Sequence, residues 1–137
     1  MKIKDLLKEN IERSPDFIKV MEIFLPFVMK KLDLEKLPKI KIQLRLKVEK
    51  HPAFGIFVSE EQTIYLAIED RHPLDIVRTL AHELVHYMQS TKHELGPDSG
   101  NTGSPQENEA HEIAGIIMRD FGDLHPDFFN YEAIDIN

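Results

Sequence analysis

The feature that most constrains the fold is a stretch of strict alternation between residues 39 and 48. Apolar side chains occupy every second position, and lysine, glutamine or arginine occupies the positions between them up to Lys47. Successive side chains of a β-strand point to opposite faces, so this pattern predicts one strand over residues 39–48 with one buried and one solvated face. The buried face needs a covering layer from another part of the chain.

Two β-rich runs follow this strand. Residues 54–59 and 63–68 are joined by the polar tripeptide Glu60-Glu61-Gln62. A short polar connection between two such runs predicts a hairpin. The chain is therefore expected to contain a small three-stranded sheet within residues 39–68.

Helical spacing of apolar residues precedes the sheet. It predicts a first helix over residues 3–11 and a second from about Pro15 to Leu32. Pro26 lies inside the second helix and has no amide hydrogen to donate, so we expect a kink or a break near residues 24–25.

Two further helices are predicted after the sheet. Pro73 can open a strongly apolar helix that continues to about Thr91. The run Ser104-Pro105-Gln106-Glu107 opens a last helix that extends to about Phe121, and Gly122 is expected to stop it.

The length of 137 residues and this order of elements predict a single α+β domain over residues 1–137. N-terminal helices occupy residues 1–34, the sheet residues 39–68, and two long helices residues 73–122. The remainder, residues 123–137, is expected to form a tail.

Charge is distributed unevenly along the chain. The 17 basic and 24 acidic residues give a net charge of −7. Residues 1–50 hold 13 basic and 8 acidic residues, a net charge of +5, whereas residues 51–137 hold 4 basic and 16 acidic residues, a net charge of −12. The lysines are scattered at helix and strand periods rather than gathered in a stripe, which argues against nucleic-acid binding. Carboxylates together with histidines are a combination that a divalent cation would neutralise.

The chain contains no cysteine. Disulfides, thiolate metal sites and cysteine nucleophiles are thereby excluded, so a bound metal must be held by His, Asp and Glu. The N-terminus lacks an apolar signal core, and the most apolar stretch, residues 17–29, contains Lys19, Glu22 and Pro26. We therefore expect a cytoplasmic protein without a membrane span.

The string His82-Glu83-Leu84-Val85-His86 carries the strongest chemical signal. Positions i and i+4 of a helix project from one face, so the two imidazoles can bind one zinc ion while Glu83 reaches a water on the metal. The flanking apolar residues bury this helix, and two buried histidines beside an acid are costly without a ligand. The string therefore predicts a zinc site, with Glu83 as general base.

A catalytic zinc site usually has three protein ligands, so a third is expected downstream. Glu107 is favoured because the 21 residues after His86 allow the chain to reverse and return. The competing interpretation is that Glu107 serves in a capping box and bonds the Ser104 amide. Glu109, His111 and His93 are the remaining candidates for the third ligand.

These residues together resemble the gluzincin metallopeptidases. In that family H-E-x-x-H lies on one helix and E-x-x-A or E-x-x-S opens the next, as Glu107-Asn108-Glu109-Ala110 does here. The small size is similar to that of minigluzincins, and residues 105–110 are similar to the P-W-E-x-E-A run of short phage-encoded relatives. The resemblance covers about residues 54–121.

The resemblance implies a zinc-dependent metalloendopeptidase with His82, His86 and Glu107 as metal ligands and Glu83 as general base. It also implies that residues 63–68 form a rim strand to which an extended peptide or protein substrate adds antiparallel. The family's Asp that supports a ligand histidine is replaced here by His111, which gives no anionic support.

The family also supplies a Tyr or His from beyond the second helix to hold the oxyanion. Tyr131 and His125 are the choices in the tail, and Tyr87 lies on the H-E-x-x-H helix itself. The tail further carries Glu132 and Asp135, so it is a candidate to lie in the cleft with a carboxylate on the zinc and keep the enzyme latent.

Two other functions remain open at the level of sequence. A module that keeps zinc for stability, or binds peptides without cutting them, would have a closed fourth ligand such as His111, His93 or a tail carboxylate. A hydrolase of another amide or ester would use the same metal. The sequence identifies neither the natural substrate nor the oligomeric state.

Overall fold

The computed structural model describes residues 17–96 and 99–129 and confirms the α+β class. The predicted helix over residues 3–11 lies outside the described residues. The elements are α1 (Phe17–Lys31), β1 (Lys39–Gln43), β2 (Leu46–Val48), β3 (His51–Ala53), β4 (Gly55–Val58), β5 (Thr63–Ala67), α2 (Pro73–Thr91), α3 (Pro105–Leu124) and a 3-10 helix (Pro126–Phe129).

The three-stranded sheet has the order β1-β5-β4. The predicted hairpin is confirmed, because β4 pairs antiparallel with β5 from Gly55 opposite Leu66 to Val58 opposite Thr63. Strand β1 pairs with the other side of β5 in parallel. Strand β5 is thus the central strand, and its side chains are the most buried of the sheet.

The prediction of one strand over residues 39–48 is wrong in its second half. The chain leaves the sheet after Gln43, and β2 pairs with β3 in a separate two-stranded hairpin. Its two-residue turn holds Glu49 and Lys50 at φ values of 52° and 72°. Positive φ at both central residues matches the twist of a two-residue hairpin turn. Asn and Gly usually occupy such positions, so the Glu-Lys pair found here does not identify the turn from sequence.

Helix α1 continues through Pro26 without the predicted break. Pro26 has no amide hydrogen, so the carbonyl of Glu22 lacks its usual helical donor. Both residues are exposed, so water can donate a hydrogen bond to this carbonyl instead. The opposite face of α1 is buried, where Phe24 packs edge-on against Phe121 of α3 at a centroid distance of 5.1 Å.

Helix α2 is the centre of the fold, with the bounds that the sequence predicts. It contacts β4 and β5 on one side and α1 and α3 on the other, which explains its strongly apolar composition. His72 caps its N-terminus, where Nδ1 accepts a hydrogen bond from the amide of Leu74 at 3.1 Å. Pro73 occupies the first helical position.

Helix α3 packs along α2 through small residues, of which Ala110 and Ala114 are buried. The expected stop at Gly122 is wrong, because the helix continues to Leu124. A glycine inside a helix costs only about 1 kcal/mol relative to alanine, and burial of Phe121 one residue earlier offsets such a cost. No helix among the described residues is both long enough and apolar enough to cross a bilayer.

Candidate metal centre

The two histidines of the H-E-x-x-H string project from one face of α2, as their spacing predicts. Their ring centroids are 5.0 Å apart. His86 is buried, and His82 is partly buried. Burial lowers the pKa of His82, and the imidazoles of His86 and His111 act in the same direction while Glu107 opposes them. A neutral imidazole is the form that binds metal.

Glu107 brings α3 to these histidines. One carboxylate oxygen, Oε1, lies 2.7 Å from His82 Nε2, and the other, Oε2, lies 3.1 Å from His86 Nε2. Only 17% of the Glu107 side chain is exposed. The carboxylate therefore lies where both imidazole nitrogens converge.

The N-terminus of α3 combines a helix cap with this placement of Glu107. The hydroxyl of Ser104 accepts a hydrogen bond from the Glu107 amide at 3.1 Å. The amide of Ser104 instead donates to the carbonyl of Asn101 at 3.0 Å. The Glu107 side chain is thus not used in a capping box and is available to the histidines.

His111 completes the cluster from one helical turn further along α3. Its Nε2 lies 3.3 Å from Glu107 Oε1, and its ring centroid lies 4.5 Å from that of His82. The side chain is 71% exposed, so it lies at the mouth of the site. The ligand atoms of His82, Glu107 and His111 all lie within 4.8 Å of one another and can hold a metal ion.

The donor atoms of His82, Glu107 and His111 lie close enough together to share one metal ion. Ligand atoms that share a tetrahedral zinc at about 2.0–2.1 Å lie roughly 3.3 Å apart. The separations from Glu107 to the three imidazoles run from 2.7 to 3.3 Å. Imidazole nitrogens and a carboxylate oxygen are ligands that zinc and other transition metals take in proteins.

Gln89 supports the cluster from behind. Its side chain is fully buried, and Oε1 lies 2.8 Å from His86 Nδ1. Its amide nitrogen donates to the carbonyl of Gln106 at 3.0 Å and to Glu109 Oε1 at 2.8 Å. These bonds fix the orientation of the His86 ring and tie α2 to the first turn of α3. Such support of a ligand imidazole is typical of metal centres.

Glu83 faces the sheet beside the two histidines. Its Oε1 accepts a hydrogen bond from the amide of Phe57 on β4 at 3.1 Å. Burial raises the pKa of Glu83 to about 7 from its ordinary value of 4.5, and the charge of Glu107 adds to the effect, while His86 and the Phe57 amide oppose it. The carboxyl group can thus gain and lose a proton near neutral pH.

Two cavities meet at His82 and Glu83. The larger, about 510 Å³, also borders Glu49, Ile56, Ser59 and Leu95, and is called here the Glu49 cavity. The smaller, about 320 Å³, is called the Arg78 cavity; it is bordered by Phe54, Gly55, Arg78, Thr79, Ala114 and Gly115. Together they form a cleft that crosses the metal centre along β4.

The edge of the sheet at this cleft is β4, which corrects the prediction for residues 63–68. Those residues form β5, which is hydrogen-bonded to β1 and β4 on its two sides and has no edge to offer. Gly55 allows β4 to lie close against α2, because a Cβ atom there would come within 2.6 Å of the Thr79 side chain. Strand β4 is paired on one side only among the described strands.

The other candidate ligands do not join the cluster. Glu109 is turned toward Gln89. His93 follows the C-terminal end of α2, is exposed and has a φ of 58°. Neither residue is in the group of ligand atoms that can share an ion. That group consists of His82, Glu107 and His111 and does not include His86 either, although His86 Nε2 lies 3.1 Å from Glu107 Oε2.

The structure does not bring the predicted oxyanion residues to the metal centre. His125 caps the far end of α3, about 27 Å along the helix axis from Glu107, and its ring stacks on Phe128. Tyr87 is buried and packs edge-on against Phe57. Tyr131 lies outside the described residues, as do Glu132 and Asp135 of the proposed latency segment.

Sequence reasoning missed Gln89 and the amide of Phe57. Gln89 lies three residues after His86, a separation that places both side chains on one face of a helix. This spacing is a sequence signal from which the contact between the two side chains could have been predicted. The contact of Glu83 with Phe57 depends on how the sheet packs on α2, and no local pattern reports it.

Comparison with known proteins gives no significant match to a protein-family model, to a curated protein or to a solved structure.

Proposed function

We propose that the chain is a zinc-dependent hydrolase of peptide bonds, as its resemblance to the gluzincin metallopeptidases implies. His82, His86 and Glu107 would hold the ion, and Gln89 would keep the His86 ring in the orientation that presents Nε2. Histidine and carboxylate ligands of this kind favour zinc over magnesium or calcium, which prefer oxygen ligands alone.

Zinc, when bound, supplies Lewis-acid activation of water and of the scissile carbonyl. The remaining chemistry falls to Glu83. Its carboxylate takes a proton from the attacking water, and the resulting carboxyl group passes that proton to the leaving amine as the C–N bond breaks. One water is consumed, and the products are a carboxylate and an amine.

The substrate is expected to lie along β4. An extended peptide can add its backbone to the free edge of a sheet, and antiparallel addition is slightly more stable than parallel addition. The cleft beside β4 gives such a peptide room on both sides of Glu83.

The observation that carries the proposal is the position of Glu83. A zinc ion kept only for stability needs no acid beside its ligands, yet this partly buried carboxyl group lies beside the two imidazoles where the two cavities meet.

The test compares Glu83→Gln with wild type in zinc content and in hydrolysis of an unstructured protein such as casein. The proposal expects unchanged zinc content and turnover lower by roughly a hundredfold or more. Glu112→Gln, an exposed position on α3, is the matched control and should keep full activity. A Glu83→Gln protein as active as wild type would refute the mechanism.

A second candidate function is supported by His111. A fourth ligand would close the site and leave a zinc-stabilised module that binds peptides without cutting them. His111→Ala distinguishes the two functions. A closed site predicts much weaker zinc binding in this variant, whereas an open site predicts retained zinc. If His111 instead hydrogen-bonds the oxyanion, zinc is retained and turnover falls.

A further inference from the structure

The two ends of the cleft carry opposite charges. Only four basic residues occur after residue 50, in a segment with 16 acidic residues, and they are Arg71, Arg78, Lys92 and Arg119. Arg78 is the one that borders the cleft. Glu83 borders both cavities, and the Glu49 cavity is bordered in addition by the carboxylates of Glu49 and Glu107.

Arg78 has no acidic partner within the part of the chain that the structure describes, since no described carboxylate lies within ion-pair distance of it. Arg71, by contrast, is occupied: its guanidinium donates to the Ala67 carbonyl at 2.7 Å and to Thr79 Oγ1 at 2.6 Å, and lies against the Phe54 ring. A guanidinium that borders a cavity without a partner can bind a carboxylate from a ligand.

The opposite wall of the Arg78 cavity leaves room for such a group. Gly115 has no side chain, and no atom lies within 4 Å of the position that its Cβ would occupy. Ala114 adds only a methyl group beside it. Phe54, which is 67% exposed, supplies an apolar surface at the outer end.

The direction of β4 relates this cavity to the scissile bond. Phe54 and Gly55 border the Arg78 cavity, and Ile56, Phe57 and Ser59 border the Glu49 cavity, so β4 runs from the first cavity to the second. A peptide antiparallel to β4 runs the other way. Its residues after the scissile bond therefore enter the Arg78 cavity.

The spacing on α2 indicates which of those residues reaches Arg78. Arg78 precedes Glu83 by five residues, about 7.5 Å along the helix axis. An extended peptide advances about 3.3 Å per residue. The offset thus corresponds to about two residues of peptide, and the guanidinium lies level with the second or third residue after the scissile bond.

We propose that Arg78 selects peptide substrates with an aspartate or glutamate at the second or third position after the scissile bond. This inference rests on the proposed function, because it takes the cleft to be a peptide-binding cleft. Arg78 is exposed and contributes nothing to the buried core, so substitutions there leave the fold intact.

The first experiment maps cleavage sites in a mixed peptide library by mass spectrometry. Wild type is expected to cut sites with an acidic residue at one of these positions roughly threefold to tenfold more often than sites with the matching amide. The preference should vanish in Arg78→Gln and turn toward lysine in Arg78→Glu. Lys19→Gln, which removes a cation from α1 away from the cleft, should behave as wild type. An unchanged preference in Arg78→Gln would overturn the inference.

The second experiment does not depend on cleavage. Pairs of labelled hexapeptides, each pair differing only by Glu or Gln at one position, are titrated into the zinc-loaded Glu83→Gln protein, with and without Arg78→Gln. Tighter binding of the Glu peptide, lost when Arg78 is replaced, supports the inference even if wild type cuts nothing and the proposed hydrolysis fails. Equal binding of the two peptides at every position tested would refute it.

Discussion

The buried side chain of Gln89 makes a prediction that separates metal binding from the packing of the two long helices. Gln89→Leu removes the acceptor of His86 Nδ1 and both bonds to α3. Each lost hydrogen bond costs about 1 kcal/mol, and more where the partner is the charged Glu109. Glu109 is partly exposed and regains water, and the leucine side chain adds buried apolar surface. We therefore expect the free energy of unfolding to fall by about 3 kcal/mol.

That loss is large against the roughly 5–15 kcal/mol that stabilises a typical domain. The assay is urea unfolding of metal-free protein, followed by circular dichroism, beside a zinc titration at pH 7.5. Without its hydrogen-bond partner the His86 ring loses its fixed orientation, so zinc affinity should fall by roughly 10–100-fold.

Gln89→Glu is the matched variant, because it keeps the acceptor for His86 but replaces the amide donor with a second carboxylate facing Glu109. We expect zinc affinity close to wild type, with stability lost at neutral pH. Crowding of the two acids raises the folded-state pKa of the new carboxyl group above its unfolded value. Stability of the metal-free variant should therefore be recovered as the pH falls toward the unfolded pKa and lost as it rises. Equal zinc affinity in wild type and Gln89→Leu would refute the orienting role.

Three further predictions concern the elements around the site. Gly55→Ala forces β4 away from Thr79 and moves Phe57 relative to Glu83, so it should cost about 1–3 kcal/mol of stability in urea unfolding; an unchanged midpoint would contradict the close approach. Ser104→Ala removes the cap of α3 and should cost about 0.5–2 kcal/mol, with weaker zinc binding; a loss of neither would show that the cap does not position Glu107. In metal-free protein, the raised pKa of Glu83 means that wild-type stability falls as the pH rises from 4.5 to about 7, whereas Glu83→Gln lacks this change. Above pH 7 the variant should thus be more stable than wild type by on the order of 2 kcal/mol, a figure that allows for the part of the Glu83 side chain that remains hydrated. Equal pH profiles of the two proteins in thermal unfolding would contradict the raised pKa of Glu83.

The elements that could be predicted from sequence are those fixed by periodicity. The helix from Pro73 to Thr91 and the hairpin over residues 54–68 have strong local patterns, and the structure confirms both. The strand over residues 39–48 has the clearest pattern of all, yet it divides, because a change of partner at residue 44 leaves the alternation itself unchanged. Periodicity reports which face is buried and not which strand lies beside it.

The same limit applies to the site. Residues on one helix, such as His82 and His86, come together through spacing alone, and Glu107 follows because the connection between the two long helices returns the chain. The edge position of β4 depends on sheet order, which is set by long-range packing. His111 illustrates a different limit: its helical spacing places it beside Glu107, but only the angle between the two helices brings it to His82.

The central claim is that His82, His86 and Glu107 hold one zinc ion, and the most direct test is the metal content of protein purified without added metal. Mass spectrometry of wild type, Glu107→Ala and the control Glu112→Ala gives the answer. We expect about one zinc per chain in wild type and in Glu112→Ala, and zinc that is lost or bound much more weakly in Glu107→Ala. A wild-type chain that binds no zinc even after zinc is added would contradict the account and make His82 and His86 packing residues.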